Sequence, residues 1–119
     1  MWGKMKVNYR NLEREKISEG VFRVWLLDER AGAENFLMRI FEINPNNKTE
    51  VDKHNYEHEV FVVNGRGKAN VGKESFEIEE GDAFYIAPNE PHSIENTGKD
   101  ILRFLCIVPG SYRKVKKNG

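Results

Sequence analysis

Short β-branched and aromatic runs, separated at close intervals by turn-forming residues, constrain the fold of this chain more than any other feature. The separating segments are rich in Asn, Gly, Asp and Pro, which accept the backbone angles of tight turns. Asn64-Gly65 follows the apolar run 60–63 and predicts a hairpin, because both residues tolerate positive φ. Long helical patterns are missing from the sequence. The pattern therefore predicts an all-β protein, an antiparallel sandwich or barrel.

The spacing of the turns predicts ten short strands in a single domain of 119 residues. They cover residues 6–9, 21–27, 35–43, 50–54, 58–63, 68–71, 75–78, 83–86, 93–95 and 101–108. The segment 11–16 predicts at most one helical turn. We assign residues 1–34 to N-terminal strands and a dimer-contact segment, 35–109 to the barrel core, and 110–119 to a basic C-terminal tail.

Charge and hydropathy exclude several classes of partner. Nineteen basic residues balance nineteen acidic ones, so the electrostatic attraction that nucleic-acid binding requires is missing. The longest apolar run, residues 104–108, is far shorter than the ~20 residues of a membrane span. The first residues lack a signal-peptide pattern, so we expect a cytoplasmic protein with no nucleic-acid or membrane partner. The single cysteine, Cys106, lies in this apolar run and is interpreted as a buried small side chain.

The three histidines are the main candidates for chemistry. His54 and His58 have the i, i+4 spacing of a helical zinc site, but the β-branched run that follows favours a strand. On a strand, Asp52 and His54 share a face, and His58 begins the matching face of the next strand. If His92 lies alongside, three imidazoles and one carboxylate could bind a divalent transition metal and leave positions open.

These residues also resemble the two motifs of the cupin superfamily, which are small antiparallel jelly-roll barrels. The first motif has the form G-x5-H-x-H-x3-4-E-x6-G. Its five positions are taken here, at family spacing, by Asn46, Asp52, His54, His58 and Gly65. Three of the five residue types therefore depart from the motif, while its spacing is kept.

The second motif has the form G-x5-P-x-G-x2-H-x3-N. Gly81, His92 and Asn96 match it, whereas Ala87 and Asn89 replace Pro and Gly. Asn89 is a mild change, since Asn also adopts left-handed backbone geometry. The resemblance spans residues 36–109 and is to small single-domain cupins.

The resemblance implies a function as well as a jelly-roll fold. In the most similar subgroup, four histidines bind Mn or Fe, and here Asp52 takes the first histidine position. The expected ligands are therefore His54, His58, His92 and Asp52, with Mn or Fe favoured over Zn, Ni or Cu. We expect a small-molecule enzyme of dioxygenase-like oxidoreductase type, with no catalytic residue assigned. The alternatives are a sugar isomerase or epimerase, and a non-catalytic module that binds a small molecule or metal.

Arg39 is an arginine inside an apolar run, and two roles are open for it. It could pair within the protein or at an interface, which we favour, or it could reach a ligand carboxylate.

Apolar residues on both faces of three strands predict a homodimer. In the strand at 35–43, Phe36, Met38 and Ile40 oppose Leu37, Phe41 and Ile43. One small barrel has one interior, so the second face needs a cover. We expect a symmetric partner, the alternative cover being the chain's own N-terminal segment, and Phe41→Glu should weaken the dimer if the face of Phe41 is the interface.

Overall fold

The computed structural model describes residues 5–111, which form nine strands and two short 3-10 helices. The strands are β1 (Glu15–Ser18), β2 (Val21–Leu27), β3 (Phe36–Ile43), β4 (His58–Asn64), β5 (Arg66–Val71), β6 (Glu74–Glu79), β7 (Ala83–Ile86), β8 (His92–Asn96) and β9 (Leu102–Pro109). The 3-10 helices are Tyr9–Asn11 and Glu29–Ala31. The predicted tail lies outside the described residues from position 112 onward, as do residues 1–4.

Two antiparallel sheets enclose the core. The larger sheet has the order β1-β2-β3-β9-β4-β7 and the smaller one the order β6-β5-β8. Neighbours along the chain are often not neighbours in a sheet, as expected for a jelly roll, and the all-β prediction is confirmed. No helix within residues 5–111 is long and apolar enough to cross a membrane.

Side chains alternate between the barrel interior and the outer surface. In β9, Leu102, Phe104, Cys106 and Val108 are buried, whereas the residues between them are partly exposed. In β4 the same alternation buries His58, Val60 and Val62. Because a strand has a period of two residues, this alternation decides which side chains reach the core and the cavity.

The outer face of β2 and β3 is partly covered by the chain itself. Residues 5–10 line one groove together with Leu26, Leu27, Met38 and Ile40. Phe41 points to the interior, where its ring stacks on Phe104 at a centroid distance of 5.4 Å. Phe41 therefore lies on the interior face of the sheet, and the condition that its face is an interface is not met. It faces the core because it shares the inward parity of Leu37 and Ile43.

The N-terminal strand was predicted in the wrong place. Residues 6–9 form no strand, because the Asn8 side chain accepts a hydrogen bond from Arg10 N and caps a 3-10 helix there. The strand lies instead at β1, which includes part of the segment 11–16 that was predicted to be a helical turn. Pairing of β1 with β2, reinforced by an Arg23–Glu15 ion pair, overrides that local preference.

Two further local predictions are corrected. Residues 50–54 form no regular strand: the loop before β4 is joined to β8 by the isolated bridges Lys48↔Glu95 and Asp52↔His92 and by the hydrogen bond from Thr49 N to Ile94 O, without a continuous ladder. Asn64-Gly65 does not close a hairpin, since β4 and β5 belong to different sheets. Gly65 has φ +87°, and a side chain there would lie 2.6 Å from the Ile101 carbonyl oxygen. The glycine therefore lets the chain pass closely against that backbone as it changes sheets.

Asn96 fixes the connection between β8 and β9. Its side chain is buried, and its amide nitrogen donates to the carbonyl oxygens of Ile43 and Asp100, each at 2.8 Å. Its amide oxygen accepts from Gly98 N at 2.8 Å. Asn96, the last residue of the second motif, is therefore explained by its hydrogen bonds to backbone groups rather than by metal binding.

We predict that Asn96→Asp lowers the free energy of unfolding by about 3 kcal/mol, because a carboxylate would face two carbonyl oxygens that need a donor. Asn11→Asp, an exposed change with the same chemistry, should have little effect. Urea denaturation of both variants measures the difference. Equal stability of the two would contradict the assigned role of Asn96.

We also predict a homodimer formed through the outer surface of the larger sheet. Phe61 is 46% exposed there and lies beside Tyr85, Leu105 and Ile107 along one groove. Burial of this apolar surface would stabilise a symmetric pair. Light scattering should give twice the chain mass of 13.8 kDa, and Phe61→Glu should return the mass of one chain without loss of fold. A monomeric wild-type protein at micromolar concentration would contradict the prediction.

Candidate metal centre

Three separate segments bring the histidines to one end of the barrel. His54 lies in the loop before β4, His58 is the first residue of β4, and His92 is the first residue of β8. The loop is fixed by two backbone hydrogen bonds between Asp52 and His92, each of 2.9 Å. His58 and His92 therefore approach from different sheets, while the bridge at Asp52 holds the segment of His54 beside β8.

The three rings form a compact cluster. One nitrogen from each histidine lies within 4.8 Å of the others. The ring centroids of His54 are 5.3 Å from those of both His58 and His92, and the latter two are 5.1 Å apart. Three imidazole nitrogens at such distances could hold a divalent transition metal after small rotations of the rings.

The surroundings of His92 determine which nitrogen faces the cluster as an acceptor. Its Nδ1 lies 2.9 Å from the carbonyl oxygen of Glu90, which can only accept a hydrogen bond. Nδ1 therefore carries the proton, and Nε2 presents a lone pair. A histidine whose second nitrogen donates to a backbone carbonyl is the usual arrangement of a metal ligand.

His58 is the most buried of the three, at 4% exposure. Its Nδ1 lies 3.4 Å from the Cys106 sulfur, and within residues 5–111 its buried Nε2 has no hydrogen-bond partner. Burial, with smaller contributions from the charge of Arg39 and from the other two histidines, lowers the pKa of His58 to about 3. The imidazole is therefore neutral at pH 7, and its Nε2 is a buried polar atom that a metal ion would satisfy.

Asp52 occupies a different position from the histidines. Its side chain is 63% exposed, and one carboxylate oxygen lies 3.2 Å from His54 Nε2. It does not belong to the group of nitrogens within 4.8 Å of one another. The structure thus places Asp52 at the rim, in contact with one of the candidate ligands.

The cluster lies on the wall of a cavity of about 230 Å³. Its wall includes apolar side chains from both sheets, such as Val60, Ile94 and Phe104. Arg39 and Cys106 also line it. A small molecule in this space would touch the histidine cluster directly.

Tyr56 was not singled out from the sequence, although its ring packs against the histidine cluster. Its ring stacks on His54 at 4.6 Å with an interplanar angle of 10°, and its centroid is 5.1 Å from that of His58. The signal was its position midway between the two histidines, two residues from each. Cys106 was correctly interpreted as buried, but its contact with His58 could not be read from the sequence.

Comparison with known proteins places this architecture in a family. The sequence model of the protein family described as Cupin domain matches residues 39–108, which are more than half of the chain. The chain therefore belongs to the cupin family. An uncharacterized protein of Methanocaldococcus jannaschii is 52% identical over 31 residues, which cover 26% of this chain and 25% of that protein.

Solved structures of similar fold come from several bacteria. The polyketide cyclase RemF of Streptomyces resistomycificus has a TM-score of 0.81 and 26% identity, covering 88% of this chain and 78% of RemF. A predicted oxalate decarboxylase of Thermotoga maritima has a TM-score of 0.80 and 26% identity, covering 88% and 98%. A cupin 2 domain-containing protein of Halorhodospira halophila has a TM-score of 0.73 and 34% identity, covering 80% and 68%.

The position of Asp52 leads to a prediction about its share in metal binding. The loss of Zn²⁺ affinity in Asp52→Ala should be at least ten times smaller than the loss in His92→Ala. An exposed carboxylate at the rim contributes less to binding than a ring inside the cluster. Competition with a chromophoric chelator measures both affinities. Equal losses in the two variants would instead identify Asp52 as a full ligand.

Proposed function

We propose that the protein binds one divalent transition metal through His54, His58 and His92, with Asp52 as a fourth group at the rim. The observation that carries the proposal is the cluster of three imidazole nitrogens, in which the buried His58 Nε2 lacks another partner among the described residues. A buried polar atom of this kind destabilises the fold unless it is satisfied. A bound metal ion would give His58 Nε2 the partner that it lacks among the described residues.

The chemistry of the donors favours a transition metal. Neutral imidazoles suit Mn, Fe, Ni, Cu and Zn, and they are poor ligands for Mg²⁺ or Ca²⁺. Three imidazole ligands would leave at least one coordination position of the ion free. The 230 Å³ cavity that the histidines line has room for a small molecule.

We further propose that the protein is a small-molecule enzyme of oxidoreductase type. Bound Mn or Fe would supply a Lewis acid and electron transfer, and the apolar wall would keep bulk water from the reacting molecule. The protein's own contribution is positional. Glu90 and Cys106 orient the rings of His92 and His58, and the neutral state of His58 leaves one of its ring nitrogens without a proton and able to bind a metal ion.

The proteins of similar structure support a small-molecule role without fixing the reaction. One is described as a polyketide cyclase and another as a predicted oxalate decarboxylase. Different reactions on one fold show that function depends on the cavity and its residues. The type of reaction in this chain therefore has to be measured.

We predict that the purified protein contains about one equivalent of a divalent transition metal per chain. His54→Ala and His92→Ala should each lose tight binding, because removal of one of three imidazoles leaves too few ligands. Elemental analysis after reconstitution with Mn, Fe or Zn measures the content. Ser93→Ala, adjacent to His92 in β8, is the control and should keep its metal. Failure of the wild-type protein to take up any of these metals would contradict the proposal.

The oxidoreductase part is tested separately with protein reconstituted with Fe²⁺. Oxygen uptake in the presence of a panel of small organic acids, phenols and sugars should be observed with the wild-type protein and be lost in His92→Ala. Metal binding without oxygen uptake for any member of the panel would contradict the oxidoreductase assignment and favour the non-catalytic alternative.

A further inference from the structure

Arg39 places a positive charge inside the barrel. It lies on β3 with the inward parity of Leu37 and Phe41, is only 4% exposed, and lines the same cavity as the three histidines. A buried guanidinium loses most of its hydration, which is unfavourable unless the protein or a ligand provides compensating contacts. Its location in the cavity wall puts this charge next to any molecule that binds there.

The contacts of Arg39 hold its side chain in place. Its Nη2 donates to the Cys106 sulfur at 3.7 Å, and its guanidinium lies 5.2 Å from the Trp25 ring and 5.1 Å from the Phe41 ring. Trp25 and Cys106 are also its paired neighbours on β2 and β9. A rigid sheet thus presents the cation to the cavity, as a preorganised binding group requires.

Besides Arg39 and the histidines, three charged residues of the described part of the chain line the cavity. One is Arg23, whose guanidinium forms an ion pair with Glu15 at 3.1 Å. The acidic residues Glu50 and Asp52 are exposed at the rim. If the three imidazoles bind a divalent ion, the cavity wall carries the charge of that ion in addition to that of Arg39. An anionic ligand would neutralise part of this charge.

We propose that Arg39 is the specificity-determining residue of the cavity and that it selects small molecules carrying a carboxylate next to an apolar body. This inference rests on the proposed metal site and adds the substrate class to it. One planar guanidinium matches one carboxylate, with two parallel hydrogen bonds. The apolar wall formed by Val60, Ile94 and Phe104 suits the remainder of such a molecule better than a highly hydrated phosphate.

The test compares benzoate with benzamide, a neutral probe of the same shape, by isothermal titration calorimetry on Zn²⁺-loaded protein. The wild-type protein should bind benzoate at least tenfold more tightly than benzamide, and Arg39→Met should reduce this ratio about tenfold. Arg39→Lys should keep only part of the preference, because it retains the charge without the planar pair of donors. Arg23→Met removes the second arginine of the same cavity and should leave the ratio unchanged.

Three results would overturn the proposal. They are equal affinity for benzoate and benzamide in the wild-type protein, an unchanged ratio in Arg39→Met, and an equal loss in Arg23→Met, which would show a diffuse field rather than a specific group. Thermal melting verifies that each variant is folded. If Arg39→Met does not fold, the ratio in Arg39→Lys decides, and a value equal to that of the wild type refutes the role.

The same titration on metal-free protein separates this proposal from the metal site. Loss of metal binding alone would contradict the proposed function, yet benzoate binding should still be weaker in Arg39→Met than in the wild-type protein. If benzoate binds only when Zn²⁺ is present and Arg39→Met has no effect, the metal alone recognises the carboxylate and Arg39 has no part in specificity.

Discussion

The register of β9 between β3 and β4 is the constraint on which the site depends. β9 pairs on one side with β3, where Cys106 faces Arg39, and on the other with β4, where Cys106 faces Val60. A slip of one residue would turn Cys106 outward and bring Leu105 or Ile107 into the cavity. The contacts of the thiol with His58 and Arg39 would then be lost. β9 thus holds His58 and Arg39 in position, although both lie much earlier in the sequence.

Most of the strands could be predicted from the sequence because their signals are local. β2, β3 and β7 follow from short apolar runs bounded by turn residues, and their positions agree closely with the prediction. The N-terminal region could not be predicted in this way, since β1 is largely polar and exists through its pairing with β2. The change of sheet at Gly65 could not be predicted either, because the residues that favour a hairpin turn also suit a connection between two sheets.

The site was predictable in part. The spacing of His54, His58 and His92 suggested that they meet, but only because the spacing resembled a family pattern; strand parity alone left the position of His92 open. The neighbours that tune the cluster, Cys106 and Tyr56, come from a distant strand and from a loop. Their contacts depend on how the two sheets close over one another, which no local pattern encodes.

The cluster spans the two halves of the barrel, since His58 belongs to the larger sheet and His92 to the smaller one. An ion shared between them would act as a non-covalent cross-link, closing a loop of chain much as a disulfide does. Its binding free energy would also be folding free energy, because the unfolded chain holds no such preformed cage. The conformational stability of the barrel would then rise with the concentration of free metal.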